Sequence, residues 1–226
     1  MPSLDELLQQ RTVYRGRQLA PPAPVRPSGF APLDRVLGGG LPAVGVNRLQ
    51  SPTGIGELRL LLPYLLAEPT RGKLLVFINP PGRPYPDFWY NAGVDLSDVQ
   101  VLHTTDTKQA LWSAEQCLQS GCCLSVLLWQ NNLEVSQLKR LQLAAIEGGA
   151  SLWWLQPPRR ENISLPLHLS LLLQASSIGI QATITKRKGG WATAPITLDW
   201  RERWPEQTIA PLPANVRPLP SKRRRA

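Results

Sequence analysis

Residues 51–58, Ser-Pro-Thr-Gly-Ile-Gly-Glu-Leu, have the spacing of a phosphate-binding loop and lack the side chains that bind phosphate. A working loop reads G-x-x-x-x-G-K-[ST]. Backbone N–H groups and the lysine meet the phosphates, and the hydroxyl meets magnesium. Here Ser51 stands at the first glycine, Gly56 at the second, Glu57 at the lysine and Leu58 at the hydroxyl. Glutamate for lysine reverses the local charge where a triphosphate would sit. A helix N-terminus attracts anions, and Glu57 can meet that attraction with its own carboxylate. The frame therefore points to a degenerate site, with no bound cofactor and no ATPase activity expected.

Other chemistry is sparse. Cys117, Cys122 and Cys123 form no C-x-x-C pair, and His103 and His168 have no nearby cysteine, so no metal site is expected. His103 has Asp106 three residues on but no nucleophile with it, and Ser51 sits in no G-x-S-x-G elbow. No catalytic residue emerges, and the expectation is a protein that works by binding. A net charge of +9 and a pI near 10.0 suit nucleic acid, an anionic surface or an acidic protein as partner. The eight tryptophans are divided between core and partner surface in this reading.

The loop needs a strand before it and a helix after it, and the surrounding pattern supplies both. Gly38–Gly40 lead into an expected strand at 46–49, and a leucine-rich helix follows at 57–67, with Pro63 expected to kink it or mark a late start. Apolar runs at 73–79, 99–103, 124–129 and 151–156 read as buried parallel strands. Helices at 86–92, 107–120 and 135–147 separate them. This alternation predicts an α/β fold whose mostly parallel sheet is covered on both faces. Strands at 167–173, 178–186 and 195–200 would extend it in antiparallel fashion.

Residues 1–27 read as an arm, with a short helix at 3–10 and a proline-rich linker at 20–27. The core spans 28–204. Residues 205–226 form a proline-rich tail ending in Lys222, Arg223, Arg224 and Arg225, expected to be disordered. No long apolar run predicts a membrane span, and the N-terminal residues do not resemble a signal start, so the cytoplasm is the expected location.

The order of features resembles the RecA recombinase core. The stretch SGFAPLDRVLGGGLP (28–42) is similar to the entry to that family's phosphate loop, and FINPPG (77–82) to the strand that delivers its catalytic glutamate. Residues 92–121 are similar to the segment running into the helix before Walker B, LSVLLW (124–129) to the Walker B strand, and WWLQ (153–156) to the strand ending in a glutamine before a DNA-binding loop. Pro81 stands at the glutamate position and Trp129 or Gln130 at the Walker B aspartate, while Gln156 is retained. The resemblance thus implies a RecA-like fold without the hydrolytic residues.

More narrowly, the chain resembles the ImuA family of bacterial mutasome operons over about residues 12–200. The carriers are YRGRQL (14–19), SGFAPLDRVLGGGLP (28–42), GIGELRLLLP (54–63), ALWSAEQCLQSG (110–121), RLQLAAIEGGA (140–150) and KRKGG (186–190). That resemblance implies an accessory role in SOS-induced translesion DNA synthesis. The partners it implies are ImuB, an error-prone DnaE-type polymerase and RecA, with self-association open. SulA, the SOS inhibitor of the division GTPase FtsZ, shares the central part of the pattern. An FtsZ-directed division inhibitor is therefore the alternative. The arm and the segment after residue 170 favour ImuA.

Candidate DNA contacts follow from charge and from the resemblance. Arg159 and Arg160 occupy the loop after the glutamine. Lys186, Arg187 and Lys188 lie in a glycine-ended turn, and Lys222 to Arg225 end the tail. Binding through them would be non-specific and salt-dependent. Trp200 and Trp204, beside Arg201 and Arg203, are a candidate aromatic–arginine anchor for a partner protein.

Overall fold

Successive side chains on a strand point to opposite faces, and both faces of the central strands are apolar. A computed structural model describes residues 24–67, 72–159 and 165–208. The predicted helix at 3–10, the arm, and the tail beyond residue 208 lie outside the described residues.

The described strands are β1 (Val25–Arg26), β2 (Leu41–Pro42), β3 (Gly45–Gln50), β4 (Leu74–Ile78), β5 (Val99–Leu102), β6 (Cys123–Trp129), β7 (Ser151–Gln156), β8 (Leu169–Ser176), β9 (Gly179–Arg187) and β10 (Ile196–Asp199). The described helices are α1 (Ala31–Leu37), α2 (Glu57–Leu66), α3 (Pro86–Asn91), α4 (Thr107–Gln119) and α5 (Val135–Glu147). Among the described residues, eight strands form one sheet in the order β10-β9-β8-β3-β7-β6-β4-β5. All pairings from β8 across to β5 are parallel, and β9 and β10 join antiparallel. The α/β class, the parallel centre and the antiparallel C-terminal strands are those the sequence predicts.

β8 departs from the expected arrangement. It pairs parallel with β3, Asn47 opposite Leu169, so the antiparallel extension begins one strand later. A parallel return needs a crossover of about a dozen residues or more, and residues 157–168 supply it. Leu165 and Leu167 therefore belong to the crossover, not to a strand, and pack on the opposite face from Leu169.

Helices α1, α2 and α3 cover one face, packed on Leu49, Phe77, Leu127, Trp153 and Leu171. Helices α4 and α5 cover the other, on Val46, Val76, Val126, Leu152 and Trp154. Asp106 caps α4 by accepting from the Gln109 N–H at 2.8 Å, which satisfies one of the orphan donors of the first turn. Glu134 and Gln137 form a capping box on α5. Gly148 ends α5 where a Cβ would fall 1.8 Å from the Leu118 carbonyl oxygen, so only glycine lets the ends of α4 and α5 meet.

Helix α2 is apolar almost all round, and its leucines and Tyr64 join the core cluster on this face of the sheet. It starts at Glu57, and Pro63 lies in its interior, so the late start allowed by the sequence does not occur. Val25 and Arg26 pair with Pro42 and Leu41, so the described core begins inside the segment assigned to the linker. Arg26 is buried with its guanidinium 5.6 Å from the centre of the Tyr64 ring. The Tyr64 hydroxyl donates to the Pro42 carbonyl at 2.9 Å and lies 3.0 Å from Ser151 Oγ. Burial raises the pKa of that phenol.

Among the described residues, the second face is left open beyond β3. No helix among the described residues covers β8, β9 and β10 on the side opposite Leu171. That side presents exposed Gln174, Thr185, Thr197 and Asp199. Among the described residues, no helix is long and apolar enough to cross a membrane.

Candidate functional site

The loop at the end of β3 turns its backbone N–H groups onto a carboxylate of its own chain. The Ser51 N–H continues the pairing with β7 by donating to the Gln156 carbonyl at 3.0 Å. The chain then turns through Gly54 and Gly56, both at positive φ (+85° and +98°), and enters α2. This places the N–H groups of Gly54 and Gly56 toward one point. The Glu57 carboxylate occupies it. The Gly54 N–H donates to both carboxylate oxygens and the Gly56 N–H to Oε2, all at 3.2 Å.

Glu57 is 6% exposed, so this is an interior arrangement. Its negative charge also lies at the positive end of the α2 dipole. Hydrogen bonds to a charged acceptor are each worth about 1.5–3 kcal/mol. An incoming phosphate would have to displace them and then sit beside a carboxylate. Leu58, at the magnesium-hydroxyl position, packs against the core.

The structure brings the remaining sequence-aligned positions to this loop. Ser51, Glu57, Pro81, Trp129, Gln130 and Gln156 all line one cavity of about 280 Å³. Trp129 is stacked on Phe77 at 6.0 Å. The Gln130 side chain donates to Thr107 Oγ1 at 2.9 Å, and its carbonyl accepts from the Trp154 indole at 2.6 Å. Asn79 also reaches the cavity from a positive φ of 53°, which asparagine tolerates. Its amide ties the end of β4 to Thr104, accepting from the backbone N–H at 2.8 Å and donating to Oγ1 at 2.9 Å. Among the described lining residues, Glu57 is the one carboxylate.

A second wall closes the loop. A Cβ on Gly56 would lie 2.2 Å from the Trp200 ring, so the indole rests directly on the loop backbone. Trp200 is 3% exposed and belongs to the core. Trp204 is half-buried, 5.6 Å from Trp200 and 6.5 Å from Phe30 between ring centroids. Arg203 lies over Trp204 at 5.3 Å. The exposed Arg201 is paired with Asp199, and its hydrogen bonds hold that carboxyl below the usual carboxylate range. Of the four residues expected to anchor a partner, Arg201, Arg203 and part of Trp204 thus face outward.

The basic residues fall elsewhere. Arg159, Lys186 and Arg187 line one groove of about 840 Å³ on the open side of the sheet. Arg187 donates to the Val36 and Leu37 carbonyls at 2.7 Å each, closing the C-terminus of α1. Lys186 donates to the Leu165 carbonyl. Lys188 is exposed beside the groove, with Nζ 3.3 Å from His168 Nε2. Burial, then the Lys188 charge, lowers the pKa of that imidazole. Arg160 and Lys222, Arg223, Arg224 and Arg225 lie outside the described residues.

Sequence reading missed Arg48, Gln50 and Trp191, which line the same groove. The signal was present in β3. Val46, Arg48 and Gln50 alternate onto one face, and two of the three are polar in a strand that otherwise reads as buried. Among the described residues, no group of three or more His, Cys, Asp or Glu side chains gathers where it could hold a metal ion.

No protein-family model and no curated protein matches the chain. Among solved structures it is similar to the crystal structure of SulA from Pseudomonas aeruginosa. The identity is 27%, covering 50% of this chain and 98% of that one, with a TM-score of 0.41.

Proposed function

We propose that the protein is a non-catalytic accessory of the SOS mutasome. It supports error-prone translesion synthesis beside ImuB and a DnaE-type polymerase, with RecA as a further contact. The observation that carries the non-catalytic part is the Glu57 carboxylate held by the Gly54 and Gly56 N–H groups. That carboxylate takes the donors a phosphate would need. The loss of carboxylates at Pro81 and at Trp129 or Gln130 supports the same reading, because little remains to activate water or hold magnesium. The mutasome assignment rests on the resemblance of residues 12–200 to the ImuA family.

Such a protein acts through surfaces. Arg201, Arg203 and the exposed part of Trp204 offer one of them beside the C-terminal segment, combining cations with an aromatic edge.

The test is affinity capture of the full tagged chain from DNA-damaged cells, after nuclease treatment so that shared DNA does not bridge proteins. Recovery of ImuB and the error-prone polymerase is the expected result. Recovery of FtsZ in their place, together with filamentation on overexpression, would replace this reading with the division inhibitor.

A further inference from the structure

We propose that Cys117 and Cys123, on either side of the turn from α4 into β6, form a dithiol that hydrogen peroxide converts to an intramolecular disulfide. This goes beyond the mutasome assignment and does not depend on it.

The turn gathers three cysteines around one serine. Ser120 Oγ donates to the Cys117 carbonyl at 2.8 Å and stands 4.0 Å from Cys123 Sγ. The Cys122 N–H donates to the same hydroxyl at 3.2 Å. One side chain thus ties the last turn of α4 to the first residue of β6. Gly121 makes the reversal at a φ of +68°, where glycine is at ease. The turn is held from two further sides. The Leu74 N–H donates to the Cys122 carbonyl at 2.8 Å. Gly148 packs so closely that a Cβ there would lie 3.2 Å from the Gly121 nitrogen. Thiols on so constrained a turn keep their spacing.

The three thiols differ in environment. Cys123 is buried, at 1% exposure. Cys117 is half-buried and packs against the core cluster that contains Cys123. Cys122 is exposed, and its thiol lies 3.5 Å from the Ser120 carbonyl oxygen. The interaction between the Cys117 and Cys123 thiols lowers the pKa of Cys117 to about 7 and, with burial, raises that of Cys123. The outer sulfur is therefore substantially thiolate at neutral pH, the form that attacks. The inner sulfur keeps its proton. One accessible thiolate beside one sheltered thiol is the arrangement of an attacking and a resolving cysteine.

The chemistry balances with peroxide as the oxidant. The Cys117 thiolate attacks one peroxide oxygen, the O–O bond breaks, and hydroxide leaves to become water. Cys117 is then a sulfenic acid. The Cys123 sulfur attacks the Cys117 sulfur, the S–O bond breaks, and the departing hydroxide takes the Cys123 proton as a second water. Two thiols lose two electrons and two protons, and one peroxide is reduced to two waters.

The test uses the full chain carrying Cys122→Ser, so that only the proposed pair remains. Circular dichroism verifies its fold. The protein is treated with a slight excess of hydrogen peroxide, alkylated with iodoacetamide under denaturing conditions, and cut with trypsin. All three positions fall on one tryptic peptide, residues 109–139. That peptide is expected to be lighter by two hydrogens and to carry no alkyl group, and to take up two alkyl groups when dithiothreitol precedes alkylation. Adding Cys123→Ser is expected to stop Cys117 at the sulfenic acid, which dimedone traps. Two alkylated cysteines after peroxide, or dimedone labelling of Cys117 while Cys123 is present, would overturn the proposal. So would a disulfide to Cys122 in the parent chain.

Discussion

Two regions at β3 satisfy their polar groups in opposite ways. The loop at 51–58 turns its N–H groups onto its own Glu57 carboxylate, with Trp200 packed on Gly56. The groove beside it holds Arg159 and Arg187 on neutral acceptors and leaves Trp191 in solvent. Backbone geometry is alike in kind at the end of any such strand. The side chains decide whether the charge is spent internally or offered outward. One region satisfies its donors with its own carboxylate, while the other holds Arg159 and Trp191 exposed at the surface.

The comparison breaks most visibly at Gly56. An alanine there must adopt φ near +98° and drive its Cβ to 2.2 Å from the Trp200 ring. Backbone strain and overpacking together are expected to cost about 3 kcal/mol, read as a lowered urea midpoint. Glu57→Ala comes next. It leaves the Gly54 and Gly56 N–H groups without their acceptor, for a loss of about 2 kcal/mol. It also reopens the loop to anions, so sulfate should raise the melting temperature of this variant more than that of the parent chain. Equal responses to sulfate would mean that the carboxylate does not fill the loop.

Trp191→Ala should change stability by less than about 0.5 kcal/mol, because an exposed side chain gives up little on truncation. The smallest effect concerns His168, whose ring lies against Gly45 at the start of β3. Its folded-state pKa is lowered by burial and then by Lys188, so the neutral imidazole is favoured in the native state. The associated stability is present above the unfolded pKa, near 6.5, and is lost as pH falls below it. A thermal-melting series from pH 8 to pH 5 should decline for the parent chain and decline less for His168→Asn.

Much of the fold was legible because the parallel strands are buried on both faces and announce themselves as apolar runs. Leu74–Ile78 and Ser151–Gln156 are examples. The direction of β8 was not legible. Leu167 to Leu173 alternate correctly for a strand, but nothing in that run says whether the chain has crossed the sheet before entering it. The small β1–β2 sheet escaped notice because two-residue strands carry no periodicity, and Val25–Arg26 sits among prolines.

The loop was the most legible part of the site. Its frame is local, and Glu57 already stood where a lysine should be. The role of Trp200 was not, since only the folded chain brings residue 200 onto residue 56. The groove was half legible. Lys186 to Lys188 form a visible cluster, whereas Arg48 and Arg159 join them through β3 and the crossover, from distant parts of the sequence.

The most direct test of the central claim, that the loop is filled by its own carboxylate and no longer serves a nucleotide, is a calorimetric titration of the purified full chain with Mg·ATP, with phosphate release followed in the same samples. The account predicts no saturable heat up to about 1 mM, the weak end of ordinary affinity, and no turnover. Saturable binding with phosphate release that disappears on substituting Glu57 would contradict it.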